Sequence, residues 1–295
     1  MTMFIRIIKS VLFSVAVFGL VGWIGLGSLK KIPNEIVKPI RANDFITKLY
    51  IIGTVHKETE NYNGDSIFNI LFKINPDLIL LEIDSSNFDD DFKLKQSLKH
   101  RLGVVFGFAK EENEELAIKK YVKLFPKTML RPYEYEGRDA FHKRNEILTK
   151  PDAVYEKLSS LYKKGGLYPR NRKIWEEWLE INDSLSAFRG KTPLEYNSEL
   201  FYRISAKRQL YQYKKINEIV QNEPDLEGYK SFYQIHSDFW DVRNKVMAQH
   251  IKLFIEKFPG KKIVVLTGAN HKYYLLQQLK NESRLKCSIS EYYKE

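Results

Sequence analysis

Short, wholly apolar runs alternate along this chain with longer stretches of mixed polarity. Leu49-Tyr50-Ile51-Ile52, ending at a glycine, predicts a strand over Ile46–Gly53. Leu78-Ile79-Leu80-Leu81-Glu82-Ile83 predicts a second strand, Thr128–Arg131 before Pro132 a third, Lys262–Thr267 a fourth, and Leu285–Ser290 a last. Continuous apolar runs of this kind suit parallel strands covered on both faces. Helical spacing fills the gaps. It predicts helices over Ser66–Ile74, in the charged stretch from Phe92 to Leu124, over Ser237–Phe258 ahead of Pro259 and Gly260, and over Tyr273–Lys280. The β-α-β alternation predicts an α/β fold: a mostly parallel open sheet with helices on both faces.

Residues 141–220 carry helical patterning without a strand, broken at Gly165, Gly166, Pro169 and Pro193. They predict a helical insertion, spanning about 139–235, within an α/β domain at 45–295. No residue from Val11 to Leu26 is charged, and Ile7 and Ile8 extend the apolar stretch past Lys9. A transmembrane anchor or signal over residues 1–29 is expected, followed by a tether at 30–44 containing Pro33 and Pro39. A buried core helix is the competing reading. Arg6 and Lys9 form a basic start and no Ala-x-Ala cleavage site follows, Gly25 and Gly27 before Ser28 being a weak substitute. The expectation is a single-pass membrane protein with an uncleaved anchor and an extracytoplasmic domain. Lys30, Lys31, Lys38 and Arg41 beyond the segment pull the other way under the positive-inside rule.

The net charge of +11 raises nucleic acid as a partner. The lysines are scattered among acids, whereas phosphate-backbone binding needs a concentrated stripe. Anionic lipid accounts for the surplus instead, and no nucleic-acid partner is expected. Cys287 is the sole cysteine, which excludes an internal disulfide, a zinc ribbon and a CxxC redox motif. Its neighbours Leu285, Ile289 and Tyr292 predict a half-buried strand position.

Candidate chemistry begins with an internal echo. Lys48-Leu-Tyr-Ile-Ile-Gly53-Thr-Val-His56-Lys and Lys262-Ile-Val-Val-Leu-Thr-Gly268-Ala-Asn-His271-Lys both read basic residue, apolar strand, glycine, two residues, histidine, lysine. In open α/β sheets ligands bind beyond the carboxyl ends of the strands. Gly53 and Gly268 would let a ligand or cofactor approach the backbone there. His56 and His271 would bring imidazoles able to bind metal or move protons. Either histidine alone reads as a hydrogen-bonded loop residue; the repeat favours a shared site. Glu82 ends an otherwise apolar strand, where a carboxylate needs a cation or an arginine, and Asp84 is placed to do the same. Arg243 and Asn244 fall between Trp240 and Met247 on the apolar face of their helix, and Arg243 is either a structural partner of Glu82 or part of the site. His100, His142, His236 and His250 have no comparable setting, and His250 reads as a packed residue. No HExxH, P-loop, GxGxxG or GxSxG motif occurs.

Gly53-Thr-Val-His56, Pro76-Asp-Leu-Ile-Leu-Leu-Glu82, Arg243-Asn-Lys-Val-Met247 and Gly268-Ala-Asn-His271 together resemble the Tiki/TraB superfamily. That superfamily also takes in GumN-like, PrgY-like, erythromycin-esterase-like and ChaN haem-uptake proteins. The resemblance implies an α/β fold with both GxxH motifs, the glutamate and the arginine around one cleft. Its Tiki branch consists of membrane-anchored proteases that depend on a divalent metal ion. On that branch His56 and His271 would be metal ligands or a base, Glu82 a ligand or general base, and Arg243 an oxyanion or carboxylate stabiliser. The expectation is a membrane-anchored, metal-dependent hydrolase acting on a peptide or small-molecule substrate. The alternative is a ChaN-type haem or iron-binding protein without hydrolytic activity.

Overall fold

The computed structural model describes residues 46–95, 112–282 and 284–294. The N-terminal apolar segment, the tether and His100 lie outside them. Among the described residues no helix is long and apolar enough to cross a membrane.

Strand β1 (Thr47–Thr54) leads through helix α1 (Gly64–Ile74) to β2 (Leu78–Leu81), and α2 (Asn113–Leu124) leads to β3 (Met129–Pro132). Asn63 and Ser66 cap α1 reciprocally, each side chain accepting from the other's backbone N–H, which satisfies two of the helix's orphan donors. Asn75, at φ 50°, ends it in the left-handed conformation just ahead of Pro76. A run of helices follows: α3 (Arg138–Arg144), α4 (Lys150–Lys163), α5 (Pro169–Ser186), α6 (Pro193–Tyr196), α7 (Glu199–Leu210), α8 (Ile216–Asn222) and the long α9 (Lys230–Lys257). Then come β4 (Lys262–Gly268), α10 (Ala269–Lys280) and β5 (Cys287–Ser290).

The sheet is parallel throughout, in the order β3-β2-β4-β1-β5. Side chains of successive strand residues point to opposite faces. Tyr50, Ile52, Ile79, Leu81, Val264 and Leu266 therefore pack under α1 and α2, while Leu49, Ile51, Leu78, Leu80, Ile263 and Val265 pack under α9 and α10. Both faces are covered, as the continuous apolar runs require. Helices α4, α5 and α8 share a further core with the start of α9, including Leu158, Trp175, Ile216 and Tyr233.

The helical stretch expected from Phe92 to Leu124 is helix over Asn113–Leu124 and not helix at residues 92–95, while residues 96–111 lie outside the described residues. Ser85–Asn87 is a 3-10 turn and Phe88 pairs in an isolated bridge with Leu94. The Asp89 carboxylate accepts from the N–H groups of Asp91 and Lys93, and Phe92 is left-handed at φ 57°. Acidic side chains that bond nearby backbone in this way compete with helix. Helix α9 begins earlier than expected, at Lys230, and α10 begins directly after β4. That second difference moves His271 from a loop into the first turn of a helix. Cys287 is half-buried on an edge strand, as expected.

Candidate functional site

The two GxxH segments become neighbours because β1 and β4 pair side by side, with Gly53 opposite Thr267 and Thr54 opposite Gly268. Glu82 leaves the adjacent strand one residue beyond Leu81, which pairs with Leu266. All three segments thus end at the carboxyl edge of the sheet, where open α/β folds hold ligands. Their meeting point is Gly268. A Cβ there would stand 3.4 Å from His56 Nε2, 3.6 Å from His271 Cδ2 and 3.8 Å from Glu82 Oε2. Glycine leaves that space to the three side chains.

Glu82 is held from several sides. Its Oε2 accepts from Thr267 Oγ1 at 2.7 Å and from the Gly268 N–H at 2.8 Å, and its Oε1 accepts from Arg243 Nη2 at 2.7 Å. Burial works against its charge, but His271, Arg243 and these hydrogen bonds outweigh it and lower the carboxyl to about 2. Arg243 also forks onto Glu134, donating from Nε to Oε1 at 2.8 Å and from Nη2 to Oε2. It is therefore both the structural partner of Glu82 and a member of the site. Asn244, fully buried one residue on, lies with its Oδ1 2.7 Å from His271 Nδ1.

His271 sits 3.0 Å from Arg243 Nη1 through Nε2 and stacks on Trp240 at 4.5 Å. Burial lowers its pKa to about 3, so the ring is neutral near pH 7. These partners assign the tautomer: Nδ1–H donates to Asn244, and the Nε2 lone pair accepts from the guanidinium. That lone pair is the one a metal ion would need. With Glu82 also hydrogen-bonded at both oxygens, the predicted His56–His271–Glu82 ligand set does not fit a cation as arranged.

A different set does. His56, Glu112 and Glu114 offer ligand atoms that all lie within 4.8 Å of one another, the one such group among the described residues. Imidazole and carboxylate are the ligand types that zinc and other divalent ions accept. The hydrogen bond from His56 Nδ1 to Glu114, 3.2 Å away, raises the imidazole to about 9 against the opposing effect of burial, with the charges of Glu114, Glu82 and Glu112 adding to the rise. His56 is thus a cation where no metal competes. Glu114 is fixed in turn by Thr54 Oγ1.

Gly53 has a packing role. Its N–H donates to Asn197 Oδ1 at 2.8 Å, and its carbonyl accepts from Asn197 Nδ2 and Tyr62 OH. A Cβ at Gly53 would stand 3.0 Å from Ala269 Cα, so the glycine permits helix–strand contact rather than approach by a cofactor. The Gly268 N–H, given to Glu82, is likewise occupied. Asp84 lies outside the cluster: its carboxylate accepts from the N–H groups of Ser86 and Gly137 and pins the loop after β2. His250 is a packed residue, its Nδ1–H donating to the Tyr133 carbonyl.

Sequence reasoning passed over Glu134, Glu112, Glu114, Thr267, Asn197 and the buried Lys272, which donates to Asn197 and Glu291. For Glu134 a signal existed, since an acid two residues past the end of β3 resembles Glu82 one residue past β2. His56 and Gly268 line two clefts at once. One, of about 840 Å³, is bordered by Glu82, Glu112, Glu114 and Thr267; the other, of about 600 Å³, by Trp240, His271, Tyr213 and Arg208.

No family model, curated protein or solved structure matches this chain.

Proposed function

We propose that this chain is a metal-dependent hydrolase of peptide or ester bonds, held at a membrane by its N-terminal apolar segment. The observation that carries the reading is the meeting of His56, Glu82 and His271 at Gly268, with Glu112 and Glu114 on the other side of His56. His56, Glu112 and Glu114 would hold the cation. A divalent ion so held supplies Lewis acidity and a water activated near neutral pH. Glu82, held at about 2, is a weak base and serves instead as a fixed negative charge facing His56 across Gly268. Arg243 and Glu134 set the orientation of that charge, and Asn244 fixes the neutral His271 ring against Trp240.

The test is metal content and turnover of the purified full-length chain in detergent, after exposure to zinc or manganese(II). Parent protein should bind close to one equivalent and cleave chromogenic ester or peptide substrates. His56→Ala and Glu114→Gln should each lose both properties, while Glu82→Gln should keep the metal and lose most turnover. A parent that neither binds metal nor turns over substrate would sink the proposal, as would a His56→Ala variant that does both normally. A Soret band on adding haem, without hydrolysis, would favour the haem-binding alternative instead.

A further inference from the structure

A chamber of about 370 Å³ lies behind Trp240, between α9 and the helices of the insertion. That volume is at the small end of ligand pockets. Its polar groups are unusually short of partners. His236 is only 6% exposed, yet neither ring nitrogen has a hydrogen bond, and the buried Oε1 of Gln212 has none either. Buried polar atoms in folded proteins nearly always have a partner, so atoms left over in a cavity wall point to a guest. Arg208 borders the same space. Its acceptors are Asn182 Oδ1 at 3.4 Å and Gln209 Oε1 at 3.5 Å, both long, and its guanidinium lies 5.2 Å from the Trp178 ring. No carboxylate among the described residues pairs with it, and burial lowers its pKa with only tyrosines opposing. The one acid in the chamber wall, Asp152, is exposed.

The backbone adds an independent sign. Helices α7 and α8 are joined without a break by a π-helical turn, Tyr211–Lys215, which carries Gln212 and Tyr213. Such turns shift the phase of a helix and concentrate at functional sites. Here the shifted residues are chamber residues. Tyr213 stacks on Trp240 at 4.4 Å, and Trp240 stacks on His271, so the chamber wall runs on into the candidate site.

We propose that this chamber binds the free carboxyl end of a peptide, or an acylated amino acid, that bears an aromatic side chain. Arg208 takes the carboxylate, Gln212 Oε1 accepts from the adjacent amide N–H, and His236 donates to the remaining acceptor. Phe239, Tyr155 and Trp240 flank the ring. The binding assignment stands on the chamber alone. Its extension, that peptides with a free aromatic C-terminus are the substrate class, rests on the hydrolase reading.

The experiment is calorimetric titration of the full-length chain with N-acetyl-L-phenylalanine and with its uncharged amide, N-acetyl-L-phenylalaninamide. The acid should bind tenfold or more tightly than the amide, the size expected when charge-assisted hydrogen bonds are lost. Arg208→Gln should weaken the acid tenfold or more and leave the amide unchanged, with Arg208→Lys in between. Equal affinity for acid and amide, no binding of the acid by the parent, or an Arg208→Gln variant that binds like the parent would each overturn the proposal. Metal content and turnover, measured on the same samples, separate the two ideas. Selective acid binding without metal or turnover sinks the hydrolase reading alone, and the reverse sinks the chamber alone.

Discussion

Replacing Arg243 by methionine keeps the apolar stem of the side chain and removes the charge that two buried carboxylates share. The side chains of Glu82 and Glu134 are 8% and 0% exposed, and Arg243 donates to both. Removing one partner of a buried ion pair typically costs ~3–5 kcal/mol, because the remaining charge is stranded. The Glu82 carboxyl lies at about 2 against an ordinary 4.5, a shift that His271, Arg243 and the hydrogen bonds from Thr267 and Gly268 produce together against burial and that corresponds to about 3 kcal/mol of stability. The sign follows from the direction of the shift. This contribution is fully present above pH 4.5 and is lost as the pH falls towards 2. Without Arg243 the folded-state Glu82 carboxyl rises, so its protonation relieves the variant. Urea unfolding of parent and Arg243→Met should therefore differ by ~3–5 kcal/mol at pH 7, with the gap narrowing below pH 4.5. Adding Glu134→Gln to the variant should recover part of the loss. A variant within ~1 kcal/mol of the parent at pH 7, or one with the parent's pH dependence, would refute the stranded-charge reasoning.

Other consequences can be checked in the same way. Burial holds His236 at about 4 in the folded chain against 6.5 ordinarily, so the unfolded state binds more protons between those values. Stability should fall by about 3 kcal/mol as the pH drops through that window, and His236→Phe should flatten that part of the profile; an unchanged slope counts against it. Gly53→Ala should cost ~1–3 kcal/mol in thermal or urea unfolding, since its methyl meets the backbone of α10. Gly268→Ala meets only ordinary contacts at 3.4–3.8 Å and should leave stability within ~1 kcal/mol. On the proposed hydrolase function its effect should appear in turnover, and equal stability losses for the two glycines would contradict the roles assigned to them. Asn197→Ala strands the Gly53 amide and leaves the buried Lys272 ammonium with Glu291 alone. A loss of ~2–4 kcal/mol is expected in urea unfolding, and a neutral result would show that water replaces the amide.

The strands were readable because each is a continuous apolar run, and a sheet covered on both faces admits little else. Helix starts were less so. The first turn of α10 contains Asn270 and His271 and carries no apolar stripe, so periodicity places the start at Tyr273. That displacement is why His271 reads as a free ligand on a loop while the fold ties both its nitrogens to Arg243 and Asn244. The pairing of Glu82 with Arg243 was legible, since a carboxylate and a guanidinium in apolar surroundings need each other. The cluster of His56, Glu112 and Glu114 was not. Glu112 is the N-cap residue and Glu114 a first-turn acid of α2, places where the helix dipole alone would favour them, and only the fold brings them to His56. The chamber at His236 was equally hidden, because an unpartnered ring nitrogen is a property of the assembled helices.

Strand β4 lies between β2 and β1, yet it enters the chain after all of the insertion and α9. During synthesis, β1 and β2 therefore leave the ribosome with the edges that should face each other unpaired. They must wait for residues 262–268 before any parallel sheet can close through its middle. A fragment ending ahead of that point lacks the sheet's central strand as well as the second GxxH segment, and it exposes apolar edges prone to association. The late arrival of β4 couples completion of the candidate site to completion of the fold, so partial products should be substrates for proteolysis and chaperones rather than partly folded proteins that hold the site.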